Sequence, residues 1–473
     1  MDIRGIETDD SVSNGKKTDG AFNGRLIRLT RLTAVFDIYD PTPPVRLSQS
    51  LPSLQIHTGG RLAYEGQATI TSLVDEGGCH RLEAQLDPSL FTVEYLAALS
   101  SDEPYDALFK SFLNDRQKNR HIDPEFKVIV ADLVAFLSDL QGWTDQMELA
   151  ASSPTAQNSP SWRSNVARSV APQTTAALND LFERFEQHFR TLPREALPLY
   201  RQYSQQRLHP WVLAAPFAHR TYAKPLGYAG DYAMVDMMLS DPCRGTSLFA
   251  QIFNVWLLQQ ASARGHRARI ELLTQTLINT ASNAARYGRR AQIYNIGCGP
   301  AREVSNFIAQ SPISSNVDFT LVDMDADALE HARESIQSQA ARHNRSSRLT
   351  FLQRSMRDIL RDATSGRRLA SHFDFDLVYC AGLFDYLTAP TCRQFIDLGC
   401  RSLRPGGSFL CTNVSPTNPN RGSMELLLDW NLIYRDASDF LQLAPQNPNT
   451  ESRVITEESG TNLFLEITKA HDS

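Results

Sequence analysis

From residue 290 onward, short apolar runs alternate with segments of helical spacing. The runs 292–296, 319–322, 349–352, 375–380 and 408–412 are nearly continuous, the pattern of strands buried on both faces of a parallel sheet. Residues 301–310, 326–343 and 391–403 predict the intervening helices. The chain then closes with two alternating stretches, 453–458 and 462–469, around Ser459-Gly460-Thr461, which reads as a hairpin. Residues 25–90 have a different rhythm: short alternating stretches (26–35, 54–57, 61–64, 68–74, 81–86) with turns at Gly59-Gly60 and Gly77-Gly78. They predict a small β-sheet or barrel, continued by helical stretches over 101–146. Leu178, Leu181, Phe182, Phe185 and Phe189 mark one face of a later helix, and the helix-rich pattern runs to about residue 287.

Composition adds boundaries. The polar stretch 1–24 reads as a disordered tail, and 150–172, rich in Ala, Ser, Pro, Asn and Gln, as a flexible linker. The expected order is therefore a β-rich domain with C-terminal helices (25–149), the linker, a helical lid or substrate region (173–289), and an α/β domain (290–473). The net charge of −6 offers no electrostatic case for nucleic acid, which needs a basic footprint. The 7 cysteines form no C-x-x-C pair, so neither a zinc site nor a redox motif is indicated, and no metal is expected. No run reaches the roughly 18 apolar residues that a membrane-spanning helix requires. These features predict a soluble, cytoplasmic chain.

The chemistry concentrates at the start of the α/β region. Strand 292–296 runs into Gly297-Cys298-Gly299 and then a helix, so the backbone turns sharply and free N–H groups face a ligand. The next strand ends in Asp323, where a carboxylate accepts hydrogen bonds from ribose hydroxyls. These two features fit either a nicotinamide dinucleotide or S-adenosylmethionine. Three others favour the second: Arg302 stands where the dinucleotide fingerprint needs its third glycine, Leu403-Arg404-Pro405-Gly406-Gly407 precedes the fifth strand, and the chain ends in a hairpin.

"YNIGCGPARE", "TLVDMD", "FDLVYCAGLFDYL" and "LRPGGSFL", in that order, resemble four motifs of the class I S-adenosylmethionine-dependent methyltransferases. The resemblance covers about residues 290–471 and implies a Rossmann-like seven-stranded sheet whose last strand is antiparallel. It also implies that Gly297 and Gly299 pass under the methionine moiety, that Asp323 holds the ribose, and that Met324 packs on adenine. By the same likeness Ser355 and Met356 border the adenine edge, and Cys380, Ala381 and Gly382 line the methyl-transfer face. Asn295 departs from the pattern, since many members carry Asp or Glu there. It can still accept a hydrogen bond from the cofactor's ammonium, without charge assistance.

Residues 209–238, "HPWVLAAPFAHRTYAKPLGYAGDYAMVDMM", are dense in aromatics yet carry His219, Arg220, Lys224, Asp231 and Asp236. Pro225, Gly227 and Gly230 argue against a long helix, and the segment reads either as a lid over a site or as a packed connector. With 424–435, "MELLLDWNLIYR", it resembles bacterial methyltransferases of 3-hydroxy fatty acid methyl ester biosynthesis, whose esters are diffusible quorum signals. The resemblance implies an acyl carboxylate as acceptor and Arg220, Tyr222, Lys224, Tyr228, Tyr232, Trp430 and Tyr434 as substrate contacts. A carboxylic acid is already ionised near neutrality, so its methylation needs no base. A hydroxyl or amine acceptor, on another small molecule or on a protein side chain, would want one, and His219, Asp231 and the pair Asp385-Tyr386 are the candidates. The apolar stretch 247–258 reads as core rather than as an acyl groove.

Residues 56–86 faintly resemble the small barrel of PilZ-type domains, which bind cyclic di-GMP. Here "IHTGGR" lacks the Asp/Asn and Ser of that family's loop, which points to a partner or regulatory surface rather than nucleotide binding. A catalytically silent signalling protein with such a β-domain is the alternative of a different class.

Overall fold

The computed structural model describes residues 11–14, 22–39, 45–58, 61–76, 79–91, 122–152, 161–365, 369 and 374–470. The glycine pairs at 59–60 and 77–78, the helical stretch expected from 101 and most of the tail 1–24 lie outside them. The chain divides into two compact units. One comprises Met1–Ala229, Asp241–Gln260 and Pro419–Asn431, and the other Gly230–Ser240, Ala261–Asn418 and Leu432–Ser473. The division cuts across the boundaries that composition implies: barrel and helical region share a unit, while residues 230–240 leave it and 419–431 join it.

The first unit holds a closed barrel of six strands in the order β1-β2-β3-β6-β5-β4. They are β1 (Ser11–Asn14), β2 (Asn23–Leu29), β3 (Thr33–Ile38), β4 (Ser50–Thr58), β5 (Arg61–Asp75) and β6 (His80–Leu86). Alternate residues fill its interior, among them Val12, Leu26, Phe36, Ile56, Ile70 and Leu82. Two expectations change here. Residues 11–14 are not a disordered tail: paired with both β2 and β4, they close the barrel. The apolar run 26–35 is two strands, because Thr30 closes a tight turn, its N–H donating to the Thr33 carbonyl at 2.8 Å.

Helices follow: α1 (Pro124–Ala151), α2 (Trp162–Phe189), α3 (Leu197–Val212), α4 (Pro216–Ala223), then, beyond residues of the second unit, α6 (Leu248–Leu258). The expected linker is helical at its described ends, since α1 runs through Ala151 and α2 begins at Trp162. Ala167 and Ala171 of that stretch are buried against Leu248, Ile252 and Val255, so small residues mark close helix packing rather than a loose connector. Helix α6 is core, as read: Leu248, Phe249, Ile252, Phe253 and Trp256 are buried, and the Trp256 indole donates to Asn179 at 2.9 Å.

The second unit is built on a seven-stranded sheet of order β12-β13-β11-β10-β7-β8-β9. Its strands are β7 (Ala291–Ile296), β8 (Val317–Asp323), β9 (Arg348–Gln353), β10 (Phe375–Cys380), β11 (Leu403–Val414), β12 (Thr450–Thr456) and β13 (Asn462–Lys469). β7 to β11 are mutually parallel, and β13 runs antiparallel between β11 and β12. Helices cover both faces of the inner strands, which is why those runs are continuously apolar, whereas β9, expected to be buried on both faces, is an edge strand and mostly exposed. Ile293, Phe319, Leu321 and Tyr379 pack with α7 (Ala261–Arg286), α8 (Arg302–Gln310) and α9 (Ala326–His343). Tyr294, Val378, Cys380 and Phe409 pack with α10 (Met356–Thr364), α11 (Ala389–Arg401) and α13 (Ala437–Leu441). The helices α5 (Tyr232–Leu239), also of this unit, and α12 (Arg421–Leu427), of the first, complete the set used below. At "LRPGG" the β10–β11 register shifts and Gly406 takes φ 73°. A Cβ on Gly407 would stand 2.7 Å from the Phe375 carbonyl oxygen, so the second glycine permits that approach.

Candidate active site

β7 ends in a turn that only unusual backbone angles allow. Gly297, Gly299 and Ala301 have φ 68°, 50° and 45°, all left-handed. The N–H groups of Gly297 and Cys298 donate to the Val322 carbonyl at 2.8 and 3.0 Å, tying the loop to the end of β8. Asp323 braces it further, accepting from Gly299 N–H at 2.9 Å and from Asp325 N–H at 3.0 Å. A Cβ at Gly299 would meet nothing within 4 Å, and one at Gly297 only Leu383 Cδ2 at 3.8 Å. The loop surface is therefore open, and its glycines answer to conformation and approach, not to internal crowding. β7 and β10 are neighbours whose connections lead to opposite sides of the sheet, and the crevice past such strand ends is where open α/β sheets bind ligands.

Beneath the loop, Asn295 is buried, and its amide donates to Glu303 Oε1 at 3.1 Å and Tyr379 Oη at 2.9 Å. Tyr379 in turn donates to Glu303 at 2.7 Å. The acid absent at 295 thus stands beside it, supplied by the second residue of α8. Burial raises the Glu303 carboxyl above its ordinary range, opposed by the hydrogen bonds from Tyr379, its own backbone and Asn295 and by the Arg269 charge. The Asn295 Oδ1 is buried without a partner among the described residues, an orphaned acceptor that suits a ligand's ammonium.

Arg302, the first residue of α8, has a partner that the sequence did not reveal. Its Nε and Nη2 reach the two carboxylate oxygens of Asp236 at 2.6 and 2.9 Å, and His331 Nε2 lies 2.8 Å from the same carboxylate. Asp236 belongs to α5, so this clasp fastens residues 230–240 to the helices that follow the first two strands. Tyr232 adds a ring contact with His331 at 5.3 Å between centroids. Asp231 is the N-cap of α5, its carboxylate accepting from Met234 N–H at 2.8 Å. That gives it a structural duty in place of the expected basic one.

On the β10 side, Cys380 is fully buried and Ala381 and Gly382 are partly exposed. The Asp385 carboxylate is buried and accepts from Val414 N–H at 2.7 Å. Burial raises it, against that hydrogen bond and the charges of Arg269 and Arg435. Gly230, at φ 80°, lies so close to Tyr386 that a Cβ would stand 2.8 Å from the phenol oxygen. Buried Arg435 holds this turn, donating to the carbonyls of Phe384 and Leu387 at 2.9 and 2.6 Å. Tyr434 beside it is half-buried. At the β8–β9 edge Met324 is exposed, and Ser355 exchanges hydrogen bonds with Asp358 at the start of α10, with Met356 packed on the core.

The remaining candidates belong to the first unit. His219 is exposed on α4, whose buried face is taken by Phe217, Ala218 and Thr221. It is a helix-surface histidine, not a sequestered base. Arg220 and Tyr228 are half-buried, with Arg46 over the Tyr228 ring at 5.6 Å. Trp430 is buried, its backbone N–H donating to Met424 at 2.9 Å. Lys224 is not a surface lid charge. It is buried in the left-handed region (φ 45°), with Nζ 3.4 Å from the carbonyls of Tyr222 and Leu428. Burial pulls its ammonium down to about 8, against the Asp429 charge, and pushes the Tyr222 phenol up to about 12.

Residues 293–407 match the family model described as a methyltransferase domain. With the sheet order and the loop above, the chain carries an S-adenosylmethionine-dependent methyltransferase domain of Rossmann-like class I fold. Among solved structures, a possible exported protein from Bordetella parapertussis is 16% identical, covering 68% of this chain and 100% of that one, with a TM-score of 0.39. The N-methyltransferase NodS from Bradyrhizobium japonicum WM9, with S-adenosyl-L-homocysteine, is 16% identical over 43% of this chain and 87% of that one (TM-score 0.28). Magnesium protoporphyrin IX methyltransferase from Synechocystis PCC 6803 is 12% identical over 45% and 87% (TM-score 0.31). None of the curated proteins matches the sequence. Among the described residues, no helix is long and apolar enough to cross a membrane, and no His/Cys/Asp/Glu group could hold a metal ion.

Two outcomes follow from this geometry. Asp236→Ala removes both arms of the clasp, and losing a partly buried charged pair of this kind costs about 1–2 kcal/mol. Amide hydrogen exchange over 230–240 should quicken about tenfold, with β7 and β10 unchanged. For Lys224 the folded pKa is below the free one, so folding releases a proton between about pH 8 and 10.5. The stability of wild type relative to Lys224→Met should therefore rise across that window, by about 3 kcal/mol. Chemical denaturation at several pH values reads this, and a flat difference contradicts it.

Proposed function

We propose that the chain methylates the carboxylate of a 3-hydroxy fatty acid, making a diffusible methyl ester. The observation that carries this reading is the "KPLGYAGDY" segment, whose last two residues start the helix that Asp236 clasps to Arg302, just after the glycine loop. S-adenosylmethionine supplies a sulfonium-bound methyl group. Gly297 and Gly299 would pass under its methionine part, Asn295 would accept from its ammonium, and Asp323 would take the ribose. Met324, Ser355 and Met356 would border adenine, and Cys380, Ala381 and Gly382 would line the transfer face. A carboxylate oxygen then forms the new bond to the methyl carbon as the carbon–sulfur bond breaks, leaving a neutral thioether and an ester. No proton moves, so the protein's work is to hold the acid in line and exclude water. That fits a site in which Asp231 caps a helix and Asp385 accepts from a backbone N–H. Tyr232 and Tyr434 are the proposed acceptor contacts.

One observation favours a second reading, a hydroxyl or amine acceptor: burial raises the Asp385 carboxyl, as a general base requires. For the barrel, a partner or regulatory surface of PilZ-like shape is the corresponding proposal.

Purified protein with methyl-labelled cofactor and 3-hydroxy acids should yield labelled methyl esters by mass spectrometry, and Asp385→Asn should leave a flat pH profile. Absence of label from every fatty acid, or an Asp385-dependent pH limb, sinks the carboxylate assignment. Asp323→Ala should weaken S-adenosylhomocysteine binding by about 1.5–3 kcal/mol in calorimetry, the worth of a hydrogen bond to a charged group.

A further inference from the structure

Arg269 of α7 reaches the β10 end of the crevice, although nothing in the sequence near it marks a site. A Cβ on Gly382, at φ 82°, would lie 3.1 Å from its Nη1 and 3.2 Å from its Nη2. The guanidinium therefore rests against bare backbone immediately after β10, next to Leu383, the residue that faces Gly297. Among the described residues it has no ion-pair partner within 4 Å. Its one hydrogen bond runs from Nη2 to His266 Nδ1 at 2.6 Å. That bond makes Nδ1 the acceptor, so the His266 ring carries its proton on Nε2. His266 is 7% exposed, and its Nε2 is buried without a partner among the described residues. Burial and the charges of Arg269 and Arg267 keep this imidazole well below its ordinary range, hence neutral. A histidine therefore orients the arginine without neutralising it.

Arg269 is half-buried, and the charges of Asp385 and Glu303 act on it without either carboxylate coming into ion-pair contact; a planar fork is the side chain best matched to a carboxylate. Asp385 is the nearest acid in sequence to Gly382, yet its carboxylate is turned to Val414 N–H and lies outside ion-pair reach of Arg269. α7 thus brings a guanidinium without an ion-pair partner among the described residues to the backbone just after β10, held by the neutral His266 one turn before it. The left-handed glycine at 382 keeps a side chain from covering the fork.

We infer that Arg269, oriented by His266, is the carboxylate subsite of the crevice, taking either the α-carboxylate of the methyl donor or the carboxylate of the acceptor. The inference rests on the methyl-transfer reading of this site, and its two sources separate by experiment. Calorimetry on the full chain compares wild type, Arg269→Gln and Arg269→Lys. The donor probes are S-adenosylhomocysteine, which keeps the α-carboxylate, and 5′-methylthioadenosine, which lacks the amino-acid end. The acceptor probes are a long-chain 3-hydroxy acid and its methyl ester, titrated with S-adenosylhomocysteine present.

If the donor's carboxylate is held, Arg269→Gln lowers S-adenosylhomocysteine affinity at least tenfold and leaves methylthioadenosine within twofold. If the acceptor's is held, donor affinity is unchanged and the acid, but not the ester, loses at least tenfold. Arg269→Lys should recover part of either loss, because the charge returns without the fork. Equal losses for carboxylate-bearing and carboxylate-free probes, or no loss for either acid, overturn the inference. Wild type that binds the donor probes but no fatty acid defeats the acceptor reading alone, and the donor arm still decides Arg269.

Discussion

The turn after β7 is the constraint from which the rest of the methyltransferase unit follows. A strand in mid-sheet has to release its chain into a helix on one face, and here it does so through left-handed residues at 297, 299 and 301. Two of these are glycines, for which the conformation is nearly free, whereas Ala301 bears a cost of order 1 kcal/mol. The geometry fixes where α8 begins, and thereby the direction of its first two side chains. Arg302 meets Asp236 and draws α5 in, while Glu303 turns under the sheet to meet Asn295 and Tyr379. A single backbone turn therefore places an open loop, an anchored helix and a buried acid.

Charge distribution in this unit has a common logic. Buried ions are tolerated where hydrogen bonds or counter-charges replace water: Asp376 is paired with Arg289 and Arg404, and others are tied to backbone or to neutral side chains. Arg435 is surrounded by carbonyl oxygens and the Asn413 amide, and in return it shapes the Phe384–Tyr386 turn. Glu303 sits among a phenol and an amide, and Asp385 against a backbone N–H. Arg269 differs because it has neither a backbone acceptor nor an ion-pair partner among the described residues, and its one hydrogen bond goes to a neutral imidazole. That difference distinguishes a cation used to shape the protein from one able to meet an anion.

The sheet was legible in the sequence because its inner strands are buried on both faces, so that apolar runs of four to six residues stand out between helices. The cofactor loop was legible because left-handed turns require glycine and glycine is conspicuous. Arg302 was visible only as a missing glycine; its bond to Asp236 joins residues far apart along the chain, and no local spacing encodes that. Glu303 was hidden for a related reason, since the expected acid was sought at 295 and a helical residue eight positions later restores it. Arg269 carries no local signal at all. Residues 161–171 misled because Ala and Ser in a Pro-containing stretch suit both a linker and a closely packed helix, and only the partners Leu248 and Val255 decide between them. His219 misled because a short helix has an outer face, and residue type does not tell which face a histidine occupies.

Lys224 shows what the "KPLGYAGDY" motif demands before any ligand is considered. Its backbone is left-handed, as is that of Asp429, and neither is glycine. Both are buried, and each sits in the other's field. Strain of this kind persists only where surrounding bonds over-determine it. Here Gln205 donates to the Asp429 carboxylate at 2.8 Å, Arg201 to the Asn431 amide oxygen at 3.2 Å and to the Glu425 carbonyl at 2.8 Å, and Ser48 to the Asn431 carbonyl at 2.8 Å. The motif therefore joins two different devices within a few residues: a buried ammonium at its start, and at its end the helix cap that leads to the Asp236 clasp.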